Sequence, residues 1–224
     1  MAKVTTAPMD AVYSELLMMI KEMSDATISM YERTLETLQS LDTERALRII
    51  KSDDEIDTME DDLIEFATVQ IIRQQPVATD LRKILMIIRL AREYERIADF
   101  TESIAEYIIL IKQNESLDHY EKNVDKFCTM LETVIEMLKL VITGLFEEDK
   151  AKIKAAAAMD EKVDTLYHEV MESLIHHIRI VDGKVFGTVH AILINKHLER
   201  AGDHVTNIAE EMLYALKGRR YNLG

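Results

Sequence analysis

The chain has 224 residues, a length that suits one large domain or two small ones. Its six glycines and two prolines are too few for an all-β fold, which needs a turn about every 8–12 residues, so long helices are expected. The net charge of −14, with no dense basic run, argues against direct binding to nucleic acid.

Six segments carry apolar residues at three- and four-residue steps and are bounded by capping, turn or proline residues. The predicted helices run from about Pro8 to Gln39, Thr43 to Arg73, Thr79 to Gln113, Asp118 to Phe146, Asp149 to Ile180 and Lys184 to Lys217. We expect a turn at Asp182 and Gly183 before the last helix, and Gly218 to end it. One-sided apolar stripes on helices of about 30 residues predict antiparallel bundles.

The second half of the chain repeats the first. In the first half, the acidic sequence DDEID at residues 53–57 is followed by EYERIADFTESIAE at residues 93–106. In the second half, DEKVD at residues 160–164 leads to KHLERAGDHVTNIAE at residues 196–210. We therefore predict an all-α fold made of two copies of a three-helix unit, residues 1–114 and residues 115–224.

Four acid-x-x-x-acid pairs occupy equivalent places in the two copies. They are Asp53 with Asp57, Glu95 with Asp99, Asp160 with Asp164, and Glu199 with Asp203. Residues four apart share a helix face, about 6 Å from one another. Chance gives several such pairs in a chain with 41 acidic residues, but these recur in register with the repeat and lie beside the apolar stripe.

Carboxylate oxygens at this spacing suit Mg²⁺, Mn²⁺ or Ca²⁺, and sites with several carboxylates also hold iron or zinc. The third helix continues the acidic stripe with Glu102 and Glu106, and the sixth continues it with Thr206 or Asn207 and Glu210. The pattern predicts cation sites. The alternative, solvated acidic faces partly paired with nearby arginines, stays open at this point.

Other chemistry is not indicated. None of the seven histidines has a glutamate three residues before it, so the Glu-x-x-His motif of di-iron bundles is missing. His190, His197 and His204 share one helix face at steps of about 10 Å, too far apart for one metal, and we expect them at a polar face or an interface. The single cysteine, Cys128, lies in an apolar helical stretch and is expected to be buried. One cysteine cannot form a disulfide within the chain, which favours a reducing compartment such as the cytoplasm. No apolar run approaches the roughly 20 residues of a membrane span.

The motifs of the two copies resemble those of the PhoU family of phosphate-signalling proteins. The family pattern is close to PVA-x-DLR followed by ER-x-GDH-x-x-NIAE, and PVATDLR at residues 76–82 and ERAGDHVTNIAE at residues 199–210 match it. The first copy has Ala98, Phe100 and Ser103 where the family has glycine, histidine and asparagine. The resemblance covers essentially the whole chain.

The resemblance implies two tandem antiparallel three-helix bundles related by a pseudo-twofold axis. It also implies metal ions, in some members iron or zinc clusters, at the E/D-x-x-x-D motifs. Carried over residue by residue, the two sites would use Asp53, Asp57, Glu95 and Asp99 in the first copy, and Asp160, Asp164, Glu199 and Asp203 in the second.

The resemblance further implies a non-enzymatic cytoplasmic protein that negatively regulates phosphate transport and phosphate-starvation signalling. Such proteins contact the ATPase subunit of the phosphate ABC transporter and the phosphate-sensing histidine kinase. They commonly form homodimers and meet the membrane only through these partners. From the residues alone, two alternatives stay open: a carboxylate-rich metal store or metal-dependent enzyme, and a plain helical scaffold.

Overall fold

A computed structural model of the protein describes residues 9–113, 117–180 and 185–217. Every regular element in these ranges is an α-helix. The helices are α1 (Met9–Ser40), α2 (Thr43–Gln74), α3 (Ala78–Lys112), α4 (Asp118–Phe146), α5 (Lys150–Ala158), α6 (Asp160–Ile180) and α7 (Phe186–Lys217). The predicted start at Pro8, the turn at Asp182 and Gly183 and the end at Gly218 lie outside the described residues. So does the predicted boundary between the copies, which stays a prediction.

Aspartate side chains cap the start of two of the helices. Asp42 caps α2, and its Oδ1 accepts from the backbone N–H groups of the second and third residues after it at 2.9 and 3.1 Å. Gln75 ends α2 in the left-handed conformation, with φ of 46°, and Pro76 follows it. Asp149, the predicted cap of the fifth helix, accepts two backbone N–H groups in the same way.

The fifth predicted helix is not continuous, because a single turn at Met159 divides it into α5 and α6. The N–H of Met159 donates to the carbonyl of Ala156, and the N–H of Lys162 donates to the carbonyl of Met159, both at three-residue spacing. The turn places Asp160 at the first position of α6. A carboxylate at a helix N-terminus is stabilised by the aligned peptide dipoles. The prediction of one unbroken helix is therefore wrong at this point.

The helices pack as two antiparallel three-helix bundles. α1, α2 and α3 contact one another, as do α4, the α5–α6 pair and α7. The bundles meet through α3 against α7 and α1 against α4, which are the equivalent helices of the repeat, so the two halves are related by a pseudo-twofold axis. One apolar core extends through both bundles. The predicted fold class is confirmed.

Buried tyrosines connect helices within and between the bundles. Tyr31 on α1 donates its hydroxyl to the carbonyl of Ile97 on α3 at 2.9 Å. Tyr120 on α4 donates to the carbonyl of Leu38 on α1 and so joins the two bundles. Cys128 is buried, as predicted. None of the helices in the described parts of the chain has a stretch both long and apolar enough to pass through a bilayer.

Candidate metal centres

The first cluster of predicted ligands, Asp53, Asp57, Glu95 and Asp99, lies where α2 packs against α3. One carboxylate oxygen from each of Asp53, Asp57 and Asp99 lies within 4.8 Å of the other two. The two acids of α2 thus meet an acid of α3, because acids four residues apart project from one face of each helix. The structure therefore brings three of the four predicted residues into one tight group. Glu95 lies beside the group, with an oxygen 3.8 Å from Nε of Arg96.

Asp53 is the innermost carboxylate of the first cluster. Its side chain is only 9% exposed, and its Oδ1 is buried without a hydrogen-bond donor. Burial raises the pKa of Asp53 to about 7, and the charges of Asp99, Glu102, Asp57 and Glu95 add to that rise. A buried anion without a donor is costly. A cation or a proton at this position would remove the cost.

The neighbouring acids share this environment. Burial and the charge of Asp99 raise the pKa of Glu95 to about 7, and burial with the charge of Asp57 raises that of Asp99. Two glutamates outside the predicted set also face the cluster, and burial raises the pKa of both Glu60 and Glu102. The sequence predicted that Glu102 continues the acidic stripe of the third helix, but Glu102 was not among the predicted ligands. Glu60 was missed, although it lies one turn beyond the DDEID segment.

The second cluster, Asp160, Asp164, Glu199 and Asp203, lies at the equivalent contact between α6 and α7. Burial and the charge of Asp164 raise the pKa of Asp160 to about 7. Oδ1 of Asp160 is buried without a donor, as in Asp53, whereas its Oδ2 accepts from the hydroxyl of Thr206 at 3.1 Å. The four side chains occupy the predicted region, but, among the described residues, no three of them form a group as tight as that of the first cluster.

A lysine of the chain already occupies part of the second cluster. Nζ of Lys196 lies 2.7 and 2.5 Å from the two carboxylate oxygens of Glu199, one turn further along α7. Glu199 is therefore directed toward Lys196, and its negative charge is locally compensated. The sequence places the two residues three apart, a spacing at which helix side chains meet, but it cannot indicate which neighbour Glu199 selects.

Gly202 allows Asp160 to approach α7 closely. A Cβ atom at this position would lie 2.1 Å from Oδ1 of Asp160, far inside van der Waals contact. The glycine of the ER-x-GD motif thus makes room for a carboxylate from the neighbouring helix. The first copy has Ala98 at the equivalent place, buried in the core. The local shapes of the two clusters therefore differ around the same motif.

The histidines of α7 contact the other bundle, as predicted for an interface. Nδ1 of His204 lies 2.7 Å from an oxygen of Glu93 on α3. The ring of Phe100 lies 5.4 Å from that of His197 and 5.3 Å from that of His204, measured between centroids. Burial lowers the pKa of His197, and the charge of Arg200 lowers it further. These tilted ring contacts join α3, which carries half of the first cluster, to α7, which carries half of the second.

The donor atoms of both clusters are carboxylate oxygens, the ligands of hard cations. Each cluster contains one buried oxygen without a donor, and in the second cluster a glycine leaves room for it. These observations fit a bound cation, with Asp53, Asp57 and Asp99 holding it in the first cluster. They also fit the repeated motif, since equivalent helices carry the predicted ligands in both halves.

Comparison with known proteins agrees with this architecture. Residues 20–108 and residues 111–212 each match the PhoU domain. The chain is 31% identical to the phosphate-specific transport system accessory protein PhoU homolog of Zymomonas mobilis, over 90% of this chain and 84% of that protein. It is 30% identical to the protein of the same description from Clostridium acetobutylicum, over 99% and 98% of the two chains.

Solved structures share the fold. The crystal structure of the phosphate transport system regulatory protein PhoU from Streptococcus pneumoniae superposes with a TM-score of 0.87 at 21% identity, covering 96% of this chain and all of that one. PhoU from Pseudomonas aeruginosa gives 0.86 at 24% identity, over 95% of this chain and all of that one. With both halves matching the domain and relatives aligned along nearly its whole length, the chain belongs to the PhoU family.

Proposed function

We propose that this chain is a non-enzymatic regulator of phosphate transport that restrains the phosphate-starvation response when phosphate is plentiful. The observation that carries the proposal is its alignment with an accessory protein of the phosphate-specific transport system over 99% of its length. Both halves, including both clusters, take part in that alignment. A regulator of this kind acts by binding partners, and the sequence offers no nucleophile with an evident base beside it.

The partners that we propose are the ATPase subunit of the phosphate ABC transporter and the phosphate-sensing histidine kinase. The protein would act in the cytoplasm as a homodimer and reach the membrane only through these partners. Its long helices offer extended rigid faces, and its net charge of −14 favours partner surfaces with positive potential. Such charge complementarity speeds association and excludes wrongly charged partners.

In this proposal the two clusters hold metal ions, and a bound ion adds positive charge to a surface on which carboxylates outnumber the lysine and arginine side chains. Asp53, Asp57, Glu95 and Asp99 would bind it in the first bundle. In the second bundle the residues would be Asp160, Asp164, Glu199 and Asp203, with Gly202 leaving room for Asp160. The residues themselves present oxygens from two helices, so the bound state would tie α2 to α3 and α6 to α7.

Deletion of the gene tests the regulatory role. We expect phosphate-uptake genes to be derepressed in phosphate-rich medium and the wild-type gene to restore repression. A protein carrying Glu199→Ala and Asp203→Ala should restore less. The matched control is Glu132→Ala with Glu136→Ala, an exposed acid-x-x-x-acid pair on α4 outside the clusters. Unchanged expression after deletion would contradict the proposal.

Partner capture separates the regulatory role from the role of the clusters. Tagged protein should retain the transporter ATPase subunit and the kinase from cells grown in high phosphate, and the amounts retained should change in low phosphate. If the variant with Glu199→Ala and Asp203→Ala captures both partners as well as the wild type does, the second cluster is not the docking element. If the wild type captures neither, the proposed partners are wrong.

A further inference from the structure

The two clusters share one motif but differ in the residues that surround it. We propose that they are unequal cation sites, and that Glu102 acts as an additional ligand which makes the first cluster the tighter one. In the second cluster, Lys196 and Thr206 already donate to two of the carboxylates that a cation would bind. This inference rests on the proposed metal binding and extends it to residues outside the shared motif.

Glu102 faces the inner carboxylate of the first cluster. It lies three residues after Asp99 on α3, so the two side chains share a face. It is half-buried, and its charge acts directly on Asp53, whose Oδ1 has no donor. The two carboxyl groups lie close enough to share a hydrogen bond when one of them carries a proton. Once both are ionised they only accept, so they cannot hydrogen-bond to each other. A hard cation between them satisfies both, whereas nothing in the described part of the chain donates to that oxygen.

The equivalent position in the second cluster is Thr206, and it changes the chemistry. A hydroxyl can donate, and that of Thr206 does so to Oδ2 of Asp160 at 3.1 Å. One of the oxygens available to a cation in the first cluster is therefore already engaged here. The substitution also removes one negative charge from the site.

Lys196 increases the difference. Its ammonium group lies within 2.7 Å of both oxygens of Glu199, so it compensates a predicted ligand. The equivalent residue in the first half is Arg92, which is mostly exposed and whose Nε lies 3.9 Å from an oxygen of Glu60 rather than against Glu95. The side chain of Glu95 is left to the first cluster, apart from a loose contact with Arg96.

Charge count then predicts the order of binding. Glu60 lies against Arg92 and is not counted. The first cluster then offers five carboxylates, the tight group of Asp53, Asp57 and Asp99 with Glu95 and Glu102 beside it. The second offers four, with an ammonium group against one of them. Ligand number and charge tune the affinity of oxygen-ligand sites over several orders of magnitude. An added carboxylate close to a divalent cation should strengthen binding about tenfold, with solvent screening taken into account. A cation should therefore fill the first cluster before the second.

Reciprocal exchange of the two differing residues tests the inference. The full chain, stripped with chelator, is titrated with Mn²⁺ by calorimetry, and free Mn²⁺ is counted by electron paramagnetic resonance. We expect two steps, the tighter one lost in Asp53→Asn and the weaker one in Asp160→Asn. Glu102→Thr should weaken the tighter step about tenfold, and Thr206→Glu should strengthen the weaker step by a similar factor.

Two further variants keep the result interpretable. Lys196→Met should strengthen the weaker step alone, because it releases Glu199 without adding a charge of its own. Glu132→Thr, at an exposed position on α4, should leave both steps unchanged. Circular dichroism of each variant reports whether it folds, and a variant that does not fold is replaced by its conservative form, Glu102→Gln or Thr206→Asp.

The outcomes distinguish the unequal affinities of the two clusters from the proposed metal binding itself. Equal affinities in the wild type, or a tighter step that is unchanged in Glu102→Thr, would overturn the inequality while leaving metal binding intact. Failure of the wild type to bind Mn²⁺ at either cluster would overturn both this inference and the proposed metal sites. Neither result would bear on the regulatory role, which the deletion experiment tests independently.

Discussion

Replacing Asp53 by asparagine should stabilise the metal-free protein above neutral pH. The substitution keeps the shape of the side chain and removes the innermost negative charge of the first cluster. It also supplies an N–H donor to a place where the wild type has only acceptors. The same change should abolish the tighter of the two cation-binding steps, so that one substitution affects stability and binding in opposite directions.

The size of the effect follows from the pKa of Asp53, which burial and four neighbouring acids raise from 3.8 to about 7. An acid with a higher pKa in the folded state binds more protons there than in the unfolded chain. Stability is therefore lost as pH rises from about 4 to about 7, and the loss is complete above that range. A shift of three units corresponds to at most about 4 kcal/mol. Solvent screening and sharing of the shift among the clustered acids reduce this to about 1–2 kcal/mol.

Thermal unfolding of chelator-treated protein measures the change. In a chain of this length 1 kcal/mol moves Tm by about 2–4 °C, so Asp53→Asn should raise Tm by about 2–8 °C at pH 8. It should change Tm little at pH 4.5, where the wild-type carboxyl is protonated. Asp54→Asn, at the exposed neighbouring position, is the control and should show no such pH-dependent gain. A lower Tm for Asp53→Asn at pH 8, or a gain that does not depend on pH, would refute this reasoning.

Three further results are expected. Gly202→Ala should weaken Mn²⁺ binding at the second cluster, because the added Cβ would displace Asp160. The free energy of unfolding in urea should change by no more than about 1 kcal/mol, since alanine favours a helix over glycine by a similar amount. Unchanged affinity would contradict the close approach. Tyr31→Phe should lower the free energy of unfolding by about 1 kcal/mol through loss of the hydrogen bond to Ile97, and an unchanged urea midpoint would argue against that bond. Cys128, whose pKa burial raises, should react with an aromatic disulfide reagent at pH 8 far more slowly in the native protein than in urea, and equal rates would mean that it is accessible.

Periodicity and the internal repeat were enough to predict the helices and their grouping. Apolar residues at three- and four-residue steps identify each helix whatever its partner, because the pattern depends only on helix geometry. The turn at Met159 could not be predicted in this way. The residues before it are alanines, which favour a helix, so the local sequence contains no signal for a break.

The sites were predictable to the extent that they depend on one helix face. The four acid pairs are visible in the sequence, and the structure places them at the two helix contacts. The inner position of Asp53 depends on how α2 and α3 meet. The pairing of Lys196 with Glu199, within α7, depends on which rotamer each side chain adopts. Gly202 was an indirect clue, because a glycine inside a helix costs about 1 kcal/mol and often marks close packing.

Elemental analysis of the protein purified without chelators tests the central claim most directly. The paired carboxylate clusters should retain at least one metal ion per chain. A variant carrying Asp53→Asn, Asp99→Asn, Asp160→Asn and Asp203→Asn, confirmed to be helical by circular dichroism, should retain none. Less than one ion per chain in the wild type, or an unchanged amount in the variant, would mean that these acids are a solvated helical surface and not cation sites.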